Sequence, residues 1–235
     1  MVELTFRTSN TNVPILSKKD LDDLGELIVA DYRPEAMQIP QAIDVDHFLE
    51  RYLGATMDYK YLSHCGLYLG MTVFEDTDRI PVFNHDKFCA EFIQCTAGTI
   101  IIDNDLLDPT QEHRYRFTAM HEGSHLLLHH QHFRAMAKQR NDYIPLVQCR
   151  VDTAHGSRQS GYKRTDKDWI EWQANSLASA ILMPRRMVVK AVREAEQHRL
   201  SVNAGLEAVI DTFNVSSEAA VFRMQELGLV RINKR

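Results

Sequence analysis

Apolar residues recur at helical spacing through most of this chain and at strand spacing in one block before its middle. Leu21, Leu24, Leu27 and Ile28 repeat every three or four residues after Ser17-Lys-Lys-Asp20, a helix-start pattern, and Pro34 breaks the run, which predicts a first helix over 18–31. Asp44 as a cap and Gly54 as a stop predict a short second helix between them. Then the period changes. The runs 58–62, 66–74, 80–83, 87–95 and 99–103 are short, rich in β-branched and aromatic residues and separated by Gly, Asp and Pro, as a small antiparallel sheet would be. Helical spacing returns over 116–130, over 168–183 ahead of Pro184, and in three C-terminal segments, 187–200, 203–213 and 216–227. This order predicts an α+β fold: a small antiparallel sheet packed on two long helices, with a C-terminal helical module. The expected division is a first domain over 1–190 and a helix-turn-helix-like module over 191–235 packed on it.

The predicted helix 116–130 carries the most specific chemistry. His121 and His125 lie four residues apart, so their imidazoles share one face, with Glu122 beside them. A catalytic zinc takes three protein ligands and leaves a fourth position to water, whose proton it makes easier to lose; a neighbouring carboxylate then accepts that proton. His-Glu-x-x-His specifies only three positions, and the alternative is a surface helix that carries these residues by accident. The surroundings favour the site. Phe117, Met120, Ser124, Leu127 and Leu128 form a continuous apolar side, and the two histidines occupy its flank, so the helix is half buried. Gly123 costs the helix about 1 kcal/mol relative to Ala, which suggests close approach by a strand or a substrate.

The helix 168–183 is a candidate source of the third ligand. Asp168 can cap it, Pro184 ends it, and its interior of Ala, Leu, Ile and small Ser suits packing on two sides. Glu171 in its first turn calls for a cation, and Asn175, one turn on, for the second nitrogen of a ligand imidazole. The alternative for Glu171 is a solvent-facing acid favoured by the helix dipole.

Arg116-Phe117-Thr-Ala-Met-His121-Glu-Gly-Ser-His125-Leu-Leu-Leu-His and Glu171-Trp-Gln-Ala-Asn175-x-x-Ala178-x-x-x-Leu182-Met183-Pro184 resemble, in order, the two signature segments of the ImmA/IrrE family of metallo-endopeptidases. Thr99-Ile-Ile-Ile-Asp103 and Val215-Ser-x-Glu-Ala-Ala-Val-x-Arg223-x-x-x-Leu227-Gly228 extend the resemblance from about residue 40 to the C-terminus. It implies His121, His125 and Glu171 as metal ligands, Glu122 as catalytic base, and a core similar to gluzincin-like peptidases. In such enzymes a sheet edge beside the ligand helix holds the substrate as an added strand; the candidates here are 99–103 and 66–73. Several family members cleave or otherwise inactivate helix-turn-helix repressors encoded beside them.

The chain departs from that pattern in a long connection, 133–167. Residues 134–167 hold eight Lys or Arg against three Asp or Glu in a chain of net charge −5. Its apolar run 143–147 suggests a strand or a cover over the cleft, and the segment reads either as a substrate-facing flap or as a solvated loop. Tyr162 and His155 within it are candidate oxyanion donors. Cys149, also within it, is placed to fill the open metal position as an inhibitory ligand, although a cysteine is more often a small buried hydrophobe. His129, His130 and His132 read as a polar C-terminal turn of the ligand helix, where cations are favoured.

Composition narrows the class. The 235 residues are 44% hydrophobic and 25% charged, ordinary for a soluble globular enzyme. No run approaches the roughly 18–20 apolar residues of a membrane helix, the N-terminus lacks a signal-peptide pattern, and Cys65, Cys89, Cys95 and Cys149 have no Cys-x-x-Cys spacing. A cytoplasmic location with reduced thiols is expected. The segment 216–227 offers Arg223 against Glu218 and Glu226, which does not make the basic face that phosphates require, so direct nucleic-acid binding is not expected. The resulting expectation is an endopeptidase with one Zn²⁺ per chain, a site that Mn²⁺ or Fe²⁺ would also suit, acting on a cytoplasmic protein such as a helix-turn-helix repressor. Two other readings stand beside it: a non-catalytic, metal-stabilised module that inactivates a repressor by binding it, and a DNA-binding regulator.

Overall fold

The structure is a computed structural model describing residues 5–139, 146–150, 165–198 and 203–230. Helix α1 (Lys18–Tyr32) opens with a capping box between Ser17 and Asp20. After a 3-10 turn at Pro34–Met37, α2 (Val45–His47) is capped by the Asp44 carboxylate and runs into a π-turn over Phe48–Tyr52. Strands β1 (Thr56–Lys60), β2 (Tyr68–Val73), β3 (Thr77–Asn84), β4 (Cys89–Cys95) and β5 (Thr99–Asp103) follow. The rest is α3 (Glu112–Gln139), β6 (Leu146–Arg150), α4 (Asp166–Leu182), α5 (Arg185–His198), α6 (Ala204–Phe213) and α7 (Ser217–Glu226). The α+β class expected from the pattern is what the chain adopts.

The sheet differs from the expected one in two respects. Strands β3 and β4 leave it to form their own antiparallel hairpin, and the remaining four run β1-β5-β2-β6. β1 and β5 are parallel, whereas β5–β2 and β2–β6 are antiparallel, so the sheet is mixed. A parallel pair needs a long crossover, and the stretch containing β2 and the β3–β4 hairpin provides it. Strand β5 is therefore central and saturated on both sides, which removes 99–103 as an edge for substrate.

The five residues of β5 are all buried because each face of the sheet is covered. Ile100 and Ile102 join the main core with α1, α3 and α4, while Ile101 packs with Met71, Val73, Ile80 and Val82 beneath the hairpin. The small residues of α4 allow the close packing read from its composition: a Cβ on Gly25 of α1 would lie 2.6 Å from the Cβ of Ala180.

Helix α3 is longer than the predicted 116–130. No Gly or Pro interrupts 131–139, and Phe133 stacks on Phe74 with ring centroids 4.3 Å apart, which anchors the extra turns. At its other end Asn214, in the left-handed region at φ 50°, accepts from Arg116 Nε through its carbonyl at 3.0 Å. Residues beyond 191 share the main core through Val192, Val209, Phe213, Ala220 and Met224. Arg223 is fully buried, donating to Asp22 Oδ1 at 2.7 Å and to the Met183 carbonyl at 3.1 Å, so it joins α7 to α1 and the end of α4 rather than facing solvent. No described helix is long and apolar enough to cross a membrane, and no disulfide joins the four cysteines.

Candidate metal centre

His121, Glu122 and His125 project from the middle of α3 and are fully buried. Glu171 reaches them from the second turn of α4, which starts at Asp166 under a Thr165 cap rather than at Asp168, and it is only 9% exposed, so the solvent-facing alternative for this residue does not hold. Its Oε2 lies 3.5 Å from His121 Nε2, and its Oε1 lies 3.9 Å from His125 Nε2. Neither carboxylate oxygen has a hydrogen-bond partner among the described residues. A buried carboxylate without donors is costly unless a cation compensates it.

The protonation of the two imidazoles follows from what holds their far sides. His121 Nδ1 lies 2.9 Å from Asn175 Oδ1, an acceptor, so Nδ1 carries the proton and Nε2 a lone pair. For His125 a relay decides. Gln173 donates through Nε2 to the Pro14 carbonyl at 2.6 Å, which turns its Oε1 towards His129 Nε2 at 3.0 Å. His129 therefore donates from Nε2 and accepts at Nδ1, where His125 Nδ1 donates at 3.0 Å. Both ligand imidazoles thus direct Nε2 lone pairs inward, 3.0 Å apart, against the Glu171 carboxylate. Three electron-rich groups converging out of water require a positive charge between them, either a proton or a metal ion.

The titration of the metal-free site agrees. Burial lowers the His121 pKa, but the Glu171 and Glu122 carboxylates outweigh it and hold the imidazole above its usual value. Burial, together with the charge on His121 and His129, drives His125 well below its own. One proton can occupy the centre, not two. His121, His125 and Glu171 form a group that can hold a metal ion, with ligand atoms all within 4.8 Å of one another. The donor set of two imidazoles and a carboxylate, with Nδ1 atoms fixed by outer partners, fits zinc among other divalent ions.

Glu122 stands beside this group. Its Oε2 accepts from the Thr72 hydroxyl at 2.5 Å, while Oε1 has no partner among the described residues. Burial pushes its pKa up to about 7, opposed by His121, by the Thr72 hydroxyl and by the backbone N–H of Cys149 nearby. Gly70, in the middle of β2, makes room for it: a Cβ there would lie 2.9 Å from Glu122 Cγ and Oε1.

All four site residues of the sequence reading, with Asn175, are therefore brought together. The reading of His129, His130 and His132 as a C-terminal turn needs correction, because α3 runs on to Gln139: His129 lies inside the helix, fully buried, as the outer partner of His125, and His132 is buried against the Thr11 carbonyl at 2.6 Å. Gly123 also differs from expectation, since the side chain against it is Leu49 rather than a strand or substrate. Four supporting residues were missed. Gly70 had a visible signal in an isolated glycine within an apolar strand, and His129 one in its i+4 spacing from His125; Thr72 and Gln173 had none. Tyr162 and His155 lie outside the described residues, as do 143–145 of the apolar run. No protein-family model and no curated protein matches this chain.

Proposed function

We propose that this chain is a metal-dependent endopeptidase with His121, His125 and Glu171 as ligands and Glu122 as catalytic base. The observation that carries the reading is the inward convergence of two Nε2 lone pairs on a buried, donor-less carboxylate, with a second buried carboxylate alongside. A divalent ion held there, zinc in the first instance and Mn²⁺ or Fe²⁺ as other suitable ions, would supply Lewis-acid polarisation of a peptide carbonyl and acidification of water. Glu122 is suited to accept a proton at Oε1, because Thr72 occupies Oε2, and the same carboxyl group would then pass that proton on to the leaving amine. Asn175 and the His129–Gln173 relay keep the ligand nitrogens unprotonated.

The resemblance to the ImmA/IrrE family suggests the substrate, a cytoplasmic helix-turn-helix repressor. Burial of Arg223 in the core supports a protein target over nucleic acid, since it removes the one basic side chain that α7 offered. The test is metal analysis joined to a cleavage assay against regulators encoded beside this protein. One divalent ion per chain, lost in Glu171→Ala, is expected. Glu122→Gln should retain the ion and slow cleavage by about 10²–10⁴-fold. Inactivation of the partner by Glu122→Gln at the wild-type rate would mean that binding, not hydrolysis, is the activity.

A further inference from the structure

Strand β6 lies along the outer edge of β2, beside the candidate metal centre. Its register places Cys149 opposite Gly70, Gln148 opposite Met71, Val147 opposite Thr72 and Leu146 opposite Val73. Thr72 of β2 hydrogen-bonds the Glu122 side chain, and Gly70 leaves it the space that a Cβ would fill. β6 is therefore paired to the stretch of β2 that borders the proposed base. An unpaired strand edge is a template for an extended peptide, which gains main-chain hydrogen bonds by adding to it. With β5 closed on both sides, β2 is the strand whose outer edge borders Glu122, and the chain itself occupies it.

The residue that β6 delivers to this point is a metal-binding one. Cys149 is buried, at 8% exposure. Its Sγ, a ring nitrogen of His121 and a carboxylate oxygen of Glu122 lie within 4.8 Å of one another, a group that shares His121 with the metal-ligand group but does not itself include His125 or Glu171. The same pocket contains buried oxygens that lack hydrogen-bond partners among the described residues, Glu122 Oε1 and both oxygens of Glu171. Thiolate is a preferred ligand of zinc, and a site with four protein ligands is closed, whereas one with three keeps a position for water or substrate.

We propose that β6 is a built-in occupant of the substrate edge and that Cys149, while β6 is seated, is the fourth protein ligand of the metal held by His121, His125 and Glu171. The thiol proton leaves to solvent on coordination. In this state the centre is closed, and a substrate must displace β6 from β2 and the thiolate from the metal together. The inference rests on the metal reading proposed above and adds a self-inhibited resting state to it.

Cobalt(II) tests this without an activity assay, because a thiolate ligand adds a sulfur-to-cobalt charge-transfer band in the near ultraviolet. The full chain titrated with Co²⁺ should show that band, saturating at one ion per chain. Cys149→Ser should still bind one ion and lose the band, while Cys65→Ser and Cys89→Ser keep it. A double proline substitution at Val147 and Gln148, which breaks the pairing to β2 but retains Cys149, should also bind one ion without the band. One-to-one binding that His121→Ala abolishes, but with no band in the unsubstituted chain, would overturn the Cys149 assignment and leave the metal reading standing. Persistence of the band in the double proline variant would overturn the role of β6. Cobalt uptake indifferent to both His121→Ala and Glu171→Ala would overturn the metal reading and this inference with it.

Discussion

Replacing Gln173 with Leu tests whether the buried relay behind His125 sets the chemistry of the centre. Gln173 is 1% exposed and makes two hydrogen bonds, accepting from His129 Nε2 and donating to the Pro14 carbonyl. Leu occupies a similar volume but leaves both partners unpaired in the core, at about 1–3 kcal/mol each. Its own apolar burial returns about 1–2 kcal/mol, so the metal-free protein should lose up to about 5 kcal/mol in urea denaturation. The functional consequence is separate. Without Gln173, His129 is no longer obliged to accept at Nδ1, so the proton of His125 is free to move to Nε2, where it blocks a metal. Loss of such an outer partner typically costs about 10–100-fold in metal affinity, which is about 1.4–2.7 kcal/mol. Competition for Zn²⁺ against a chromophoric chelator, at a denaturant-free pH where circular dichroism shows both proteins folded, reads this directly. His129→Leu added to Gln173→Leu should weaken binding little further, because both act through one relay. Unchanged zinc affinity in a Gln173→Leu protein that has lost stability would refute the relay as the determinant of the His125 tautomer.

Other perturbations separate the remaining parts. Gly70→Ala would press a methyl group to 2.9 Å from Glu122 and from Thr118 Cγ2; overpacking of about 1–3 kcal/mol and a fall in kcat with metal content unchanged are expected from parallel metal and rate measurements. Arg223→Met leaves Asp22, which is 6% exposed, facing only the partly exposed Lys18 ammonium at 4.0 Å, and should cost about 3 kcal/mol in urea, much of it recovered by adding Asp22→Leu. The pH dependence of the metal-free protein has a definite sign at Glu122. Its pKa is raised from 4.5 to about 7, so this group's stabilisation is complete below 4.5 and is lost as pH rises through 7. Metal-free Glu122→Gln should therefore exceed wild type by about 3 kcal/mol at pH 8, from 1.36 kcal/mol per pH unit, with the difference shrinking towards pH 4.5; a constant difference across that range would contradict the assignment.

Much of the centre was legible in local pattern. The i, i+4 spacing of His121 and His125 needs only helix geometry to share a face, and the strand 99–103 and helices α1, α4, α6 and α7 follow from periodicity, caps and breakers that act within a few residues. Glu171 was legible because an acid in an otherwise apolar helix demands a partner. What that partner is depends on α3 and α4 crossing at one level, a contact between residues 46–50 positions apart that no short-range signal encodes. The parallel pairing of β1 with β5 is likewise a choice among edges, made by burial of Ile100, Ile101 and Ile102 between two layers. Arg223 could be read from sequence only as a charge on a helix; tertiary packing made it a buried tie to Asp22. The same holds for Cys149, which the sequence offered either as a metal ligand or as a small buried hydrophobe, until β6 pairs with β2 and carries it to His121 and Glu122. Spacing along one helix is dictated by the backbone, whereas convergence of separate elements is decided by which apolar faces bury one another, and that balance belongs to the whole chain.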